Sequence, residues 1–140
     1  MSYTTFNELL SNTKTSEDLK QLSPLAIKWL YENFAEWETM ELPEGDPPRK
    51  ELAGQPDTAY EKLVSQKTMR MIPHWKNKNI KQSKREHLFI EFLESLHSDE
   101  ARLLVAIKDK KLSEMFPNVT RELVDAAFPS LLVLPTGRTL

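Results

Sequence analysis

The sequence contains no cysteine, which removes disulfides, thiolate metal sites and cysteine nucleophiles at one stroke. Glycine is nearly as scarce, with three in 140 residues, at positions 45, 54 and 137. Strand-rich folds call on more turn glycines than that, and runs of alternating apolar and polar residues are missing too. No Gly-x-x-x-x-Gly-Lys loop occurs, so nucleotide binding through that phosphate cradle is excluded. Nor is there a Gly-x-Ser-x-Gly nucleophile elbow. No apolar run approaches the roughly 20 residues that span a bilayer, so a membrane is not an expected partner. Met1 to Glu8 lacks the basic-then-apolar pattern of a signal peptide, and an intracellular location is expected. The hydrophobic share of 39% against a charged share of 29% suits one globular domain over residues 1–140.

What recurs instead is a cap residue followed by an apolar helical period. Thr5 with Glu8 reads as a capping box ahead of a helix near 5–13, and a second short helix follows at 15–22. Ser23 before Pro24 places proline at the first helical position, where its missing N–H costs nothing. From there Leu25, Ile27, Trp29, Leu30, Phe34 and Trp37 carry a helix to about residue 38, with the aromatic side chains read as core. Residues 41–57 hold four prolines and two of the glycines, which predicts a long loop. Thr58 with Glu61 predicts a helix restarting there and stopped by Pro73, with 73–82 as a basic connection. Ser83 with Glu86 predicts the start of a helix whose Leu88, Phe89, Phe92, Leu93 and Leu96 share a face. After a break at 97–100, Ala101, Leu103, Leu104, Val105 and Ile107 make a second apolar helix. The short link makes residues 84–112 a helical hairpin at the centre of the core, with 23–38 and 58–72 packed on it. Thr120 caps a last helix at 121–128, and 130–140 is a tail containing the apolar run 131–134. The expected fold class is all-α, a bundle of five to seven helices.

Charge is distributed unevenly. Lys67, Arg70, Lys76, Lys78, Lys81, Lys84 and Arg85 fall within 67–85 with no acid among them. That +7 leaves −9 for the remainder of a chain whose net charge is −2. With Trp75 interleaved, the segment has the composition to follow a phosphate backbone and stack a base. The favoured reading is charge pairing, either with a protein partner or within the chain as a solvated linker whose lysines complement its own acidic loop, with Trp75 filling the core. These eight residues are the candidate partner or nucleic-acid contacts, and Trp75 the candidate anchor. Other constellations are weaker. Glu94 and His97 have Glu-x-x-His spacing, but the second motif that a di-iron bundle needs is absent. His97 reads instead as a cation at a helix C-terminus, and Lys108 to Lys111 likewise. Glu41, Glu44 and Asp46 do not follow a calcium-loop pattern. No metal and no cofactor is expected.

Three segments carry a resemblance. Lys84 to Leu112 (KREHLFIEFLESLHSDEARLLVAIKDKKL), Leu42 to Pro48 (LPEGDPP) and Val119 to Pro129 resemble, in the same order, an uncharacterised helical family of T-even-type tailed phages, marine cyanophages included. The likeness extends over roughly residues 23–130. It implies a viral origin, and with it a role in the host cytoplasm during infection or a place in the virion. That family brings no activity or catalytic residue to transfer.

The expectation is therefore a non-enzymatic phage accessory protein that binds a protein or nucleoprotein assembly in the infected cell, using 67–85 and the proline loop. The alternatives are a minor structural component of the virion and a nucleic-acid-binding protein.

Overall fold

A computed structural model describes residues 5–35, 37, 39–50 and 60–133. Among them the protein is all-α, with eight helices in the order α1 (Phe6–Ser11), α2 (Ser16–Lys20), α3 (Pro24–Phe34), α4 (Gln66–Lys76), α5 (Gln82–Ser95), α6 (Ser98–Lys108), α7 (Leu112–Met115) and α8 (Arg121–Ala127). Among the described residues the one β-type contact is an isolated parallel bridge between Glu61 and Leu96. No helix among the described residues is long and apolar enough to cross a membrane.

The hairpin read from the sequence is α5 and α6, joined through Leu96 and His97. Helix α6 is central and packs against α1, α3, α5 and α7. Its Leu103, Leu104 and Ile107 are fully buried, as are Phe89, Leu93 and Leu96 from the α5 side. Burying each such side chain contributes about 1.5–3 kcal/mol, so the hairpin supplies the largest block of cohesion. Helix α3 lies on α6 and α4 on α5, as expected, while α2 packs against α8. Trp29 of α3 is buried, and its indole N–H donates to the Leu63 carbonyl at 3.2 Å.

Caps set several boundaries. Thr5, Thr15, Ser23, Ser65 and Thr120 each accept a backbone N–H from the first turn of the helix they precede. Thr15 and Asp18 complete a reciprocal capping box on α2. The eight helices exceed the expected five to seven, and several expected boundaries need correction. Helix α4 begins after Ser65, not near residue 58, and Glu61 lies in the bridge to Leu96; Thr58 is outside the described residues. Pro73 does not stop α4, which runs on to Lys76, because Ile72 just before it and Trp75 two residues after it are buried in the core. Ser83 caps nothing: α5 starts at Gln82 with Lys81 as an N-cap that makes no side-chain bond. The Arg85 amide bonds to the Lys81 carbonyl, which puts Ser83 inside the first turn.

Helix α3 ends at Phe34, four residues short of the expected end, and Trp37 is half-buried beyond it. Leu132 of the tail is buried, while the rest of the tail from 134 and the 51–57 half of the proline loop lie outside the described residues.

Candidate functional site

The basic segment becomes α4, the connection 77–81 and the first turns of α5, and this packing sorts its charges into inner and outer sets. Trp75 is 0% exposed. Its ring meets Phe89 edge-on at 5.1 Å and tilts against Phe92 at 5.5 Å. It is a core side chain, and the expected surface anchor is thereby corrected. Arg85 is also buried: Nε donates to the Glu41 carbonyl at 3.0 Å, and its guanidinium bonds the carbonyls of Asn77 at 3.2 Å and of Ile80. The planar fork reaches several carbonyls at the chain reversal at once, adding to the Ile80 amide that the Asn77 carbonyl already accepts. Lys76 turns inward to Glu32, 2.7 Å away, whose side chain is 1% exposed.

The other five stay at the surface. Lys67, Arg70 and His74 recur at three- and four-residue spacing along the exposed side of α4. Lys67 pairs with Glu61 at 2.6 Å, and Lys78 stands 3.7 Å from Glu41. Arg70, Lys81 and Lys84 are exposed, with no carboxylate partner among the described residues. Where α4 hands over to α5, the molecule therefore presents a cationic corner braced from behind by Trp75 and Arg85.

The described part of the proline loop, residues 41–50, lies beside this corner. Glu41 joins the two: its amide donates to the Trp75 carbonyl at 2.9 Å and its carbonyl accepts from Arg85. Further along, Lys108 holds the loop down. Its ammonium donates to the carbonyls of Pro43 (2.7 Å) and Gly45 (3.1 Å) and to Asp109 Oδ1 (2.6 Å), while Asp109 Oδ2 accepts the Gly45 amide at 3.0 Å. The side chain of Lys108 is 2% exposed. Gly45 has φ +100°, a backbone state that side chains with a Cβ rarely adopt, so glycine permits the turn that faces Asp109. Glu94 Oε2 accepts the Lys50 amide at 2.7 Å and holds the far end.

Between loop and hairpin lies a cleft of about 270 Å³, walled by residues 42–48 on one side and by Glu86, Phe89 and Ile90 of α5 on the other, with Lys108 inside. A second cleft, lined by Met40, Glu41, Leu42, Pro43, Gln82 and Arg85, continues around the loop toward the cationic corner.

The weaker constellations take structural roles. His97 lies beyond the last turn of α5, which ends at Ser95. It is the N-cap of α6, and Nδ1 accepts the Asp99 amide at 3.2 Å, which needs a lone pair on that nitrogen. No group of three or more potential metal-ligating side chains converges among the described residues. The loop acids each face a cation: Glu41 faces Lys78, Glu44 faces Lys111 and Asp46 faces Arg49. Glu44 also holds the Lys111 ammonium above its ordinary pKa, by hydrogen bond and charge.

Sequence reasoning missed four inward-facing charges, of which Lys108, Glu100 and Glu32 are buried and Lys110 is half-buried. Lys108 pins the loop. Lys110 donates to the carbonyls of Glu32 (2.7 Å) and Ala35 (2.9 Å) at the end of α3. Glu100 accepts the amides of Phe6 (3.3 Å) and Leu63 (3.4 Å). Glu32 takes Lys28 and Lys76. A signal existed for three of them. Glu100, Leu104 and Lys108 recur at four-residue spacing on α6, and Glu32 follows Trp29 by three, so each charge interrupts an apolar stripe.

No curated protein and no solved structure matches the chain. The model of one family of unknown function, DUF6433, matches residues 8–114, from within α1 to within α7, so both the cationic corner and the pinned loop fall inside it. On that match the chain belongs to the DUF6433 family of unknown function.

Proposed function

We propose that this protein is a phage accessory protein that works by docking, through its cationic corner, on an acidic face of a protein or nucleoprotein assembly in the infected cell. The phage setting follows from the likeness of residues 42–48, 84–112 and 119–129 to the tailed-phage family. The observation that carries the docking is the set Arg70, Lys81 and Lys84, exposed and without acidic partners among the described residues. Lysines that served only to neutralise the chain's own acids would be paired, as Lys67 and Lys76 are. Charge on a rigid support steers an oppositely charged partner and fixes its register. Here the support is the Trp75–Phe89 contact behind α4 and the Arg85 bonds behind the turn.

Affinity capture from infected cells tests this, comparing the wild-type chain with the triple variant Arg70→Glu, Lys81→Glu, Lys84→Glu. A partner retained by the first and lost by the second is the expected result. A partner held equally by both removes the corner from the account. If DNA itself is the partner, purified protein binds it at about 50 mM salt, and the affinity falls steeply as salt is added. Stoichiometric recovery of the chain in purified particles would replace the intracellular role with a virion one.

A further inference from the structure

The cleft under the proline loop differs in character from the cationic corner. Leu42, Pro43, Pro47 and Pro48 face Phe89 and Ile90 across it, so most of its wall is apolar. Its charged lining residues are answered with one exception. The Lys108 ammonium is saturated by two carbonyls and Asp109; Glu44 has Lys111 at 3.1 Å; Asp46 has Arg49. Glu86 is half-buried on the same face of α5 as Phe89 and Ile90, and no cation or hydrogen-bond donor answers it among the described residues. A carboxylate beside apolar walls favours a cation that tolerates partial desolvation. The volume, about 270 Å³, suits one long side chain rather than a folded element.

We infer that this cleft is a socket for an arginine side chain presented by a partner protein. Its methylene stem lies along the proline and isoleucine surfaces, as long basic side chains do elsewhere. The guanidinium reaches Glu86, and being planar and weakly hydrated it loses less on entry than an ammonium would. The Lys108 pins keep the loop wall in place, so the socket is formed before the partner arrives. The socket does not depend on the cationic corner, because Arg70, Lys81 and Lys84 contribute nothing to its lining.

The test is an amide-resolved NMR titration of the full chain with N-acetyl-arginine methylamide, with the norleucine and glutamate analogues as controls. Saturable shifts at Gly45, Phe89 and Ile90, with a dissociation constant on the order of millimolar, are expected for arginine alone. Glu86→Gln is expected to weaken binding about tenfold or more, the worth of one charge-assisted hydrogen bond. Ile90→Phe, which fills the slot and leaves the charge, is expected to abolish it while the remaining spectrum is retained. Norleucine binding as well as arginine, an unchanged affinity in Glu86→Gln, or no saturable shift at all overturns the inference.

Discussion

The rings of Trp75 and Phe89 meet edge-to-face, centroids 5.1 Å apart and planes at 89°. This contact joins α4 to α5 directly behind the cationic corner, and Phe89 is also part of the cleft wall. Replacing Trp75 by Ala is expected to destabilise the fold by about 3–5 kcal/mol, as for large-to-small changes in a core. Trp75→Phe should cost much less. The indole N–H has no acceptor among the described residues, so no hydrogen bond is lost. Urea unfolding of the two variants checks the ordering; near-wild-type stability of the Ala variant would contradict the burial.

Lys108 pins two carbonyls of the loop, and its side chain is 2% exposed. Lys108→Met is expected to destabilise by about 3–5 kcal/mol, because it leaves a buried carboxylate at Asp109 without its cation. Hydrogen exchange should show the Gly45 amide losing protection in the same variant. If protection there stays intact, Lys108 does not hold the loop.

Lys110 sits at φ +61° just past the end of α6, where glycine is the usual occupant. The amides of Lys110 and Lys111 close the motif on Ile107 and Ala106. The same side chain caps the C-terminal end of α3 through Glu32 and Ala35. Lys110→Met keeps the backbone strain and removes the cap, so a loss of about 1–2 kcal/mol is expected in thermal unfolding. Amide exchange in the last turn of α3 should rise with it.

Asp18 accepts the amides of Lys14 and Thr15, and these bonds hold its carboxyl below the ordinary value. A depressed carboxyl adds stability that is complete above its unfolded pKa and is lost as pH falls through the folded one. Protection in α2 should therefore decline below about pH 4, the ordinary carboxylate range. Asp18→Asn should show lower protection at neutral pH and a flatter acid limb than wild type. Parallel acid limbs in the two proteins would count against the box.

Arg70→Glu, Lys81→Glu and Lys84→Glu are each expected to shift stability by no more than about 0.5 kcal/mol, since all three are exposed. Matching circular dichroism melts of wild type and triple variant would tie any loss of partner to the surface. A large drop in melting temperature would instead place these side chains in the fold.

Much of the architecture was legible in the sequence for local reasons. Thr5, Ser23 and Thr120 announce their helices because a cap acts within four residues. The hairpin is legible because Phe89, Phe92 and Leu93 repeat with the helical period. Pro73 misled because its local preference is overridden by the burial of Ile72 and Trp75, a tertiary effect. Ser83 misled because the long-range bonds of Arg85 accompany an earlier start of α5. Within the candidate site, composition located the basic segment but could not say that Trp75 and Arg85 point inward. That division depends on Phe89 and Glu41, distant in sequence and close in space.

The pairing of α2 with α8 has a consequence for synthesis. Leu19 of α2 is fully buried, and so is Val124 of α8, about a hundred residues later in translation. While the ribosome is still making α6, the early helices have an apolar side with its eventual cover not yet polymerised. A nascent chain halted before Arg121 should therefore attract holdase chaperones, and release of α8 from the exit tunnel is the event that lets α2 settle.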